Sequence, residues 1–280
     1  MIAQDAVPFR FRRSWTFGSN GRAPWDFDHN TLLSALPLFL RDRWVPHFER
    51  VQVAIGQILS EPNRPLTHVY FPTTAIISLL YELPNGVSTE VAVVGNEGML
   101  GVPLLMGGDF THSHAIVTSA GACWRLEVSR FKEKLNCTAP VPIRFLRYIQ
   151  ALMTQIAQTA VCNRHHCIVQ QVSRRLLMSL ERSHGNELVM TQDLIARTLG
   201  VRREGVTKAA QQLQKAGIIN YTRGRISVLD RAGLEAESCE CYGVIQREYA
   251  RLLCDSDAPA PRSRFPVVCQ QFEASRPALP

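Results

Sequence analysis

The apolar periodicity of this chain changes once, near residue 140, and the change divides the fold into two kinds of structure. From about residue 50 to 130, apolar residues fall in short runs of period two. "VQVAIGQIL" puts Val51, Val53 and Ile55 on one face, as a half-buried strand does. "HVYF", "AIISLLYEL", "VSTEVAVVG", "HAIVTSA" and "CWRLEV" follow at regular spacing. Asn85-Gly86 lies between two of them; it is a hairpin signal because both residues tolerate positive φ. Such a set of strands predicts a small antiparallel barrel or roll. The glycine-rich "GNEGMLGVPLLMGG" predicts a loop or short helix crossing it.

Beyond residue 140 the period lengthens. In "PIRFLRYIQALMTQIAQTAVCN", Leu146, Ile149, Met153, Ile156 and Ala160 are three and four apart, the seam of a helix packed along its length. Phe145 and Leu152 widen it. The seam either lies on the chain's own roll or pairs with its copy in a dimer. A single long helix between two domains, with Gln155 and Gln158 off the seam, favours the dimer, with Leu146, Ile149, Met153 and Ile156 at its interface. A further helix is expected at about 164–183.

The segment "TQDLIARTLGVRREGVTKAAQQLQKAGIINYTRGRISVLD" carries the functional signal. Thr191 is an expected N-cap, Asp193 suits the first turn, and Gly200 ends the helix. A second helix begins near Arg202. At about 100° per residue, Val206, Ala210 and Leu213 form its core face, while Arg203, Glu204, Thr207, Lys208 and Gln211 share the other. Ala216-Gly217 stops it, and "IINYTRGRISVL" reads as a hairpin with Arg223-Gly224 at its tip. This is the layout of a winged helix-turn-helix. The other reading is an amphipathic surface helix. Two cations at a helix N-terminus work against its dipole, but they suit an end that points at base edges and phosphates. Gly205 gives up about 1 kcal/mol of helix propensity, which reads as room for close backbone approach. The DNA-contacting set is therefore Arg202, Arg203, Glu204, Thr207, Lys208 and Gln211, with Arg223 and Arg225 from the wing.

Charge agrees with this placement. Of a net +7, residues 161–230 contribute +6, with eleven Lys/Arg against five Asp/Glu. A localised basic excess points to a polyanion or to a solvated basic face. The first residues, "MIAQDAVPFRFRRSW", hold no apolar run, and the longest apolar stretch, "AIISLL", is far short of the ~20 residues of a membrane span. A cytoplasmic protein with no membrane partner is expected, its eight cysteines reduced thiols or ligands. No Ser-His-Asp, P-loop or dinucleotide fingerprint appears in a suitable context, so no catalytic residue is nominated and no enzyme is expected.

With roll, long helix and winged helix in this order, residues 31–233 resemble the Crp/Fnr family of bacterial transcription regulators. "LIARTLGVRREGVTKAAQQLQKAGII" carries the closest likeness. The family's recognition helix has Arg-Glu and then a basic residue four positions after the Glu, here Arg203, Glu204 and Lys208. "FPTTAIISLL" and "VAVVGNEGMLGVPLLMGG" are similar to the sensory roll, and "CECY" to the tail of one subgroup. The resemblance implies an α+β fold: a cyclic-nucleotide-binding-like antiparallel β-roll, a long dimerisation helix and a C-terminal winged helix-turn-helix. It also implies a homodimer on an inverted repeat in double-stranded DNA, RNA polymerase as a further partner, and a small-molecule effector of unknown identity. Gly98, Gly101, His112, Ser113 and His114 mark the expected effector region. Two departures count against known effectors. Members that bind cyclic AMP carry Gly-Glu and a later Arg, whereas here Gly101 precedes Val102 and "THSHAIV" lacks Arg, leaving a cyclic phosphate without a bidentate partner. Members with an iron–sulfur cluster place cysteines in an N-terminal extension, whereas the first cysteine here is Cys123. No cofactor is predicted.

The expected domains are a flexible extension at 1–30, the roll at 31–136, the dimerisation helix at 137–162, the winged helix at 163–233, a C-terminal helix at 234–254 and a disordered tail at 255–280. One rival function remains. "CNRHHC" offers Cys162, His165, His166 and Cys167, and the tail offers Cys239 and Cys241. The spacing fits no zinc pattern, so no metal site is predicted, but a metal- or thiol-dependent redox protein using Cys162/Cys167 and Cys239/Cys241 is the alternative.

Overall fold

A computed structural model describes residues 26–136, 142–183 and 185–253. Residues 1–25 of the expected extension and the tail from 254 lie outside them. The extension reads too far into the fold, because residues 26–30 belong to the core. Phe27 is buried, and buried Asn30 accepts from the backbone N–H groups of Leu32 and Leu33 while donating to the carbonyls of Pro72 and Gly98 at 2.9 and 2.8 Å. One side chain thus caps α1 (Thr31–Ser34) and ties it to two loops of the roll.

After α2 (Leu38–Trp44) come β1 (Glu49–Val53), β2 (Ile58–Ser60), β3 (His68–Pro72), β4 (Ile76–Glu82), β5 (Ser88–Val94), β6 (His114–Ser119) and β7 (Gly121–Glu127). They form two antiparallel sheets, ordered β1-β7-β3 and β2-β6-β4-β5. "VQVAIGQIL" is two strands, not one. Gly56, at φ 82°, turns the chain from the first sheet into the second and leaves Ile55 exposed. The Asn85-Gly86 hairpin forms, but only Gly86 takes positive φ; the Asn85 side chain instead accepts from the Val87 N–H. Val53, Tyr70, Ile77, Val94, Val117 and Cys123 pack together between the sheets. Burial pushes the Cys123 thiol up to about 12.

Helix α3 (Val128–Asn136) leads to the long helix α4 (Ile143–His165), then α5 (Ile168–Glu181), β8 (Glu187–Val189), α6 (Gln192–Leu199), α7 (Arg203–Lys215), β9 (Ile219–Thr222) and β10 (Arg225–Val228). The C-terminal helix expected at 234–254 is two helices, α8 (Arg231–Ala236) and α9 (Glu240–Leu253). Helix α4 has two apolar faces. Phe145, Tyr148, Leu152 and Cys162 are buried in this chain, and so is Ile149 of the expected seam. The other seam residues point outward: Leu146, Met153 and Ile156 are 46%, 64% and 37% exposed, with Ile143 and Val161 beside them.

The roll and the C-terminal half meet through two buried cations, one on α5 and one at its C-cap. Arg175 lies 3.1 Å from Glu90 of β5 and donates to Ser179 Oγ and Ser78 Oγ. Arg182, just past the end of α5, donates from Nε to Glu97 at 2.8 Å and from its terminal nitrogens to the Met178 carbonyl and Gln155 Oε1. Tyr249 of α9 faces the same guanidinium. Gly95 leaves space for this side chain, since a Cβ there would lie 2.7 Å from Arg182 Cγ. Desolvation draws the Arg175 pKa down, and Glu90 opposes the shift. Breaking such a pair from one side strands a buried charge, at about 3–5 kcal/mol, whereas replacing both partners by apolar groups is often neutral. Glu90→Gln should therefore lower stability by that amount in a urea titration at constant slope, and Glu90→Leu with Arg175→Met should recover most of it. A Glu90→Gln loss below about 1 kcal/mol, the scale of an exposed pair, would show that the pair is not a buried constraint.

Candidate nucleic-acid interface

The geometry of α6 and α7 follows from their caps. Thr191 Oγ accepts from the Leu194 N–H, and Gly200, at φ 66°, ends α6 in the left-handed conformation. Gly200 also allows close docking on the roll: a Cβ there would lie 2.4 Å from Thr89 Oγ1, and Ser88 donates to the Arg197 carbonyl. Val206, Ala209, Ala210 and Leu213 bury one face of α7. Arg202, Arg203, Glu204, Lys208 and Gln211 are exposed on the other. Among the described residues, none of these five side chains has an ion-pair or hydrogen-bond partner, so Glu204 and Lys208, one turn apart, do not hold each other. Thr207 is half-buried and engaged, donating to Gln192 Oε1 at 2.7 Å and to the Arg203 carbonyl. It braces α7 against α6 in this state.

Gly205 is explained differently from the sequence expectation. It faces inward, where a Cβ would lie 2.7 Å from Ile168 Cδ1 of α5. The close approach is to the protein's own core.

The hairpin forms as expected. Arg223 and Gly224, at φ 49° and 80°, make a two-residue turn between Thr222 and Arg225, the mirror-image turn that suits strand twist. Both arginines are exposed, and β8 completes a three-stranded sheet ordered β8-β10-β9. The basic excess of this half is partly internal, because Arg174, Arg175 and Arg182 are buried. The outward cations are Arg164 at the end of α4, Arg202, Arg203, Lys208 and Lys215 on α7, Arg223 and Arg225 on the hairpin, and Arg197, which pairs with Asp193.

The expected effector residues do not converge on one cavity. A Cβ on Gly98 would lie 2.2 Å from the Tyr148 ring, and one on Gly101 would lie 2.7 Å from Val69; both glycines are needed for packing. His112 contacts Asn63 at 2.6 Å, Ser113 contacts Thr111, and His114 faces Glu82 at 3.7 Å. A small, half-open cleft instead lies where Glu97 and Arg182 meet Tyr242, Gln246 and Tyr249 of α9.

The cysteines do not pair as expected. Cys167 is exposed and caps α5. Cys162 and His166 come together with Cys239 and Cys241, all four ligand atoms lying within 4.8 Å of one another. His165 points to solvent.

Residues 170–237, from α5 through α8, match the family model of the Crp-like helix-turn-helix domain. This segment is a Crp-like helix-turn-helix domain. The whole architecture recurs in solved structures. FixK2 from Bradyrhizobium japonicum is 15% identical, with 69% of this chain and 98% of that one covered at a TM-score of 0.58. A CRP-family transcriptional regulator from Thermus thermophilus is 19% identical, with 67% and 96% covered at 0.55. A CRP/FNR-family regulator from the same organism is 19% identical, with 68% and 98% covered at 0.52. At these identities the likeness establishes a shared fold. Among curated proteins, none matches the chain in sequence. Among the described residues, no helix is long and apolar enough to cross a membrane.

The Gly205 contact gives a test of the helix packing. Alanine should gain about 1 kcal/mol over glycine in a helix, yet Gly205→Ala should yield little or none of that in a denaturant titration, because Ile168 Cδ1 occupies the space. In an Ile168→Val background, which removes that atom, the gain should reappear. A full gain from Gly205→Ala alone would show that Ile168 does not constrain the position.

Proposed function

We propose that this protein is a homodimeric, sequence-specific DNA-binding transcription regulator of the Crp/Fnr type, working in the cytoplasm, in which α7 reads the major groove. The observation that carries the reading is the exposed polar face of α7: Arg202, Arg203, Glu204, Lys208 and Gln211 stand together with no described partner beside a Crp-like fold core. Unpaired cations at a helix N-terminus gain little from their own protein. Opposite DNA they have partners. Arg203 can donate two hydrogen bonds to guanine O6 and N7, Glu204 can accept from a cytosine N4 amine, and Lys208 can reach a guanine or a phosphate. Thr207 joins them if its bond to Gln192 is exchanged for one to DNA. The hairpin acts as a wing, with Arg223 and Arg225 on phosphates, and Arg164 and His165 are further phosphate candidates.

The dimer rests on the outward face of α4. Leu146, Met153 and Ile156 form an apolar strip that a copy of the same helix would cover, with Ile149 beneath it as support. Two recognition helices related by twofold symmetry read half-sites about one helical turn, ~34 Å, apart. The roll receives a small-molecule signal of unassigned chemistry, entering either near His112, Ser113 and His114 or elsewhere on its surface, and RNA polymerase is the natural further partner. The redox alternative loses its Cys162/Cys167 pair, since Cys167 stands apart from the other thiols.

Binding-site selection from random DNA tests the reading. The wild type should select an inverted repeat with a G and a C in each half. Arg203→Ala should cost roughly 1–3 kcal/mol per half-site and relax one position, while Arg223→Ala should weaken all sites about equally. Log affinity should fall with log salt by about 0.9 per phosphate neutralised. Identical motifs from wild type and Arg203→Ala would remove Arg203 from base reading, and selection of a single half-site would remove the symmetric dimer.

A further inference from the structure

The end of α4 and the start of α9 bring four metal-binding side chains to one point. Cys162 and His166 are one turn apart on α4, with His166 at its C-cap. Cys239 and Cys241 flank Glu240, the first residue of α9. The three thiols are buried to 3% exposure or less in a small cluster of their own. Cys162 Sγ lies 3.5 Å from Cys239 Sγ, and Cys241 Sγ lies 3.7 Å from His166 Nδ1. Tetrahedral coordination with bonds of about 2.3 Å to sulfur and 2.0 Å to nitrogen places neighbouring sulfurs about 3.8 Å apart and sulfur and nitrogen about 3.5 Å apart. The observed separations bracket these edges, and both exceed a disulfide bond of about 2.05 Å. So tight a set suits a single ion, whereas the ligands of a multi-iron cluster stand further apart.

Two neighbours complete the arrangement. His166 turns its other nitrogen, Nε2, to Glu240 Oε1 at 3.2 Å, the carboxylate–histidine contact that commonly orients a ligating imidazole. Arg174 of α5 is 3% exposed, has an Nε without a partner and, among the described residues, no carboxylate. It lies close enough to act electrostatically on Cys162 and Cys241. A lone buried cation is costly. A divalent ion with three thiolates and one neutral imidazole carries a net charge of −1, which Arg174 neutralises.

We propose that Cys162, His166, Cys239 and Cys241 form a mononuclear site for a thiophilic divalent cation, zinc(II), that pins α9 to the junction between α4 and α5. Binding displaces three thiol protons and oxidises nothing. The four protein ligands close the coordination shell, as in structural zinc sites. The helix-turn-helix segment hangs from the same junction, so the ion fixes the base on which that segment sits. Zinc binding is read without DNA and stands or falls independently of the regulator reading.

The test uses the full chain, purified without oxygen from zinc-supplemented medium. Elemental analysis should find about one zinc per chain. Cys239→Ser and Cys241→Ser should each abolish stoichiometric zinc, Glu240→Gln should weaken zinc affinity by roughly 10–100-fold, and Cys167→Ser should leave it unchanged. Should the serine variants fail to fold, the wild type alone decides. Demetallated and titrated with cobalt(II), it should develop an intense thiolate-to-cobalt charge-transfer band and the visible bands of a tetrahedral site. Chelation should speed hydrogen exchange along residues 240–253. The proposal is overturned if the wild type gives no cobalt–thiolate band, if zinc survives in soluble Cys239→Ser and Cys241→Ser protein, or if the isolated chain holds a Cys162–Cys239 disulfide and no metal.

Discussion

Two buried ion pairs, Arg175–Glu90 and Arg182–Glu97, hold the halves of this molecule in one arrangement. Removing either partner would leave the other as a buried charge without its counter-ion, at a cost of several kcal/mol. The pairs therefore fix where α5 lies on the roll, and α5 carries the helix-turn-helix with it. Arg182 reaches furthest, touching a roll loop through Glu97, α4 through Gln155 and α9 through the Tyr249 ring. Gly95 and Gly98 make room at this node, one for Arg182 and the other for Tyr148. The glycines of the roll's loop thus serve the contact between halves.

The same pairs change how the charge of the chain is to be read. Three of the eleven cations in residues 161–230 are internal, two of them neutralised by acids far away in sequence. What remains outside is a smaller and better-placed set along α7 and the hairpin tip. The exposed apolar strip of α4 lies on the opposite side of that helix from the face buried in this chain. In the proposed reading, the first surface meets DNA and the other a second copy of the chain.

Much of this was legible in the sequence because it is local. Thr191, Gly200 and Arg223-Gly224 act through their own backbone neighbours, so the two helices and the hairpin could be placed residue by residue. The change of period near residue 140 likewise marked where sheets give way to helices. What was not legible depends on pairs remote in the chain. Glu90 and Arg175 are ordinary charges until folding buries both. Gly205 looked like a gap for DNA until Ile168 filled it. Cys162 and His166 showed an incomplete ligand pattern because the other half, Cys239 and Cys241, arrives from more than seventy residues away. Periodicity alone puts the seam of α4 on one face, whereas Ile149 is buried and Leu146, Met153 and Ile156 are exposed, a division that depends on the remote elements packed against the helix.

The central claim, that α7 is the surface meeting DNA, is tested most directly by photocrosslinking. A benzophenone amino acid placed at position 211 on α7 and, as a control, at position 132 on α3, which carries Arg130, Lys132 and Lys134, should be irradiated with a selected operator. The account predicts crosslinks from position 211 to bases within both half-sites, one helical turn apart, and none from position 132. Crosslinks from position 132 with none from position 211 would contradict it and place the DNA on another face.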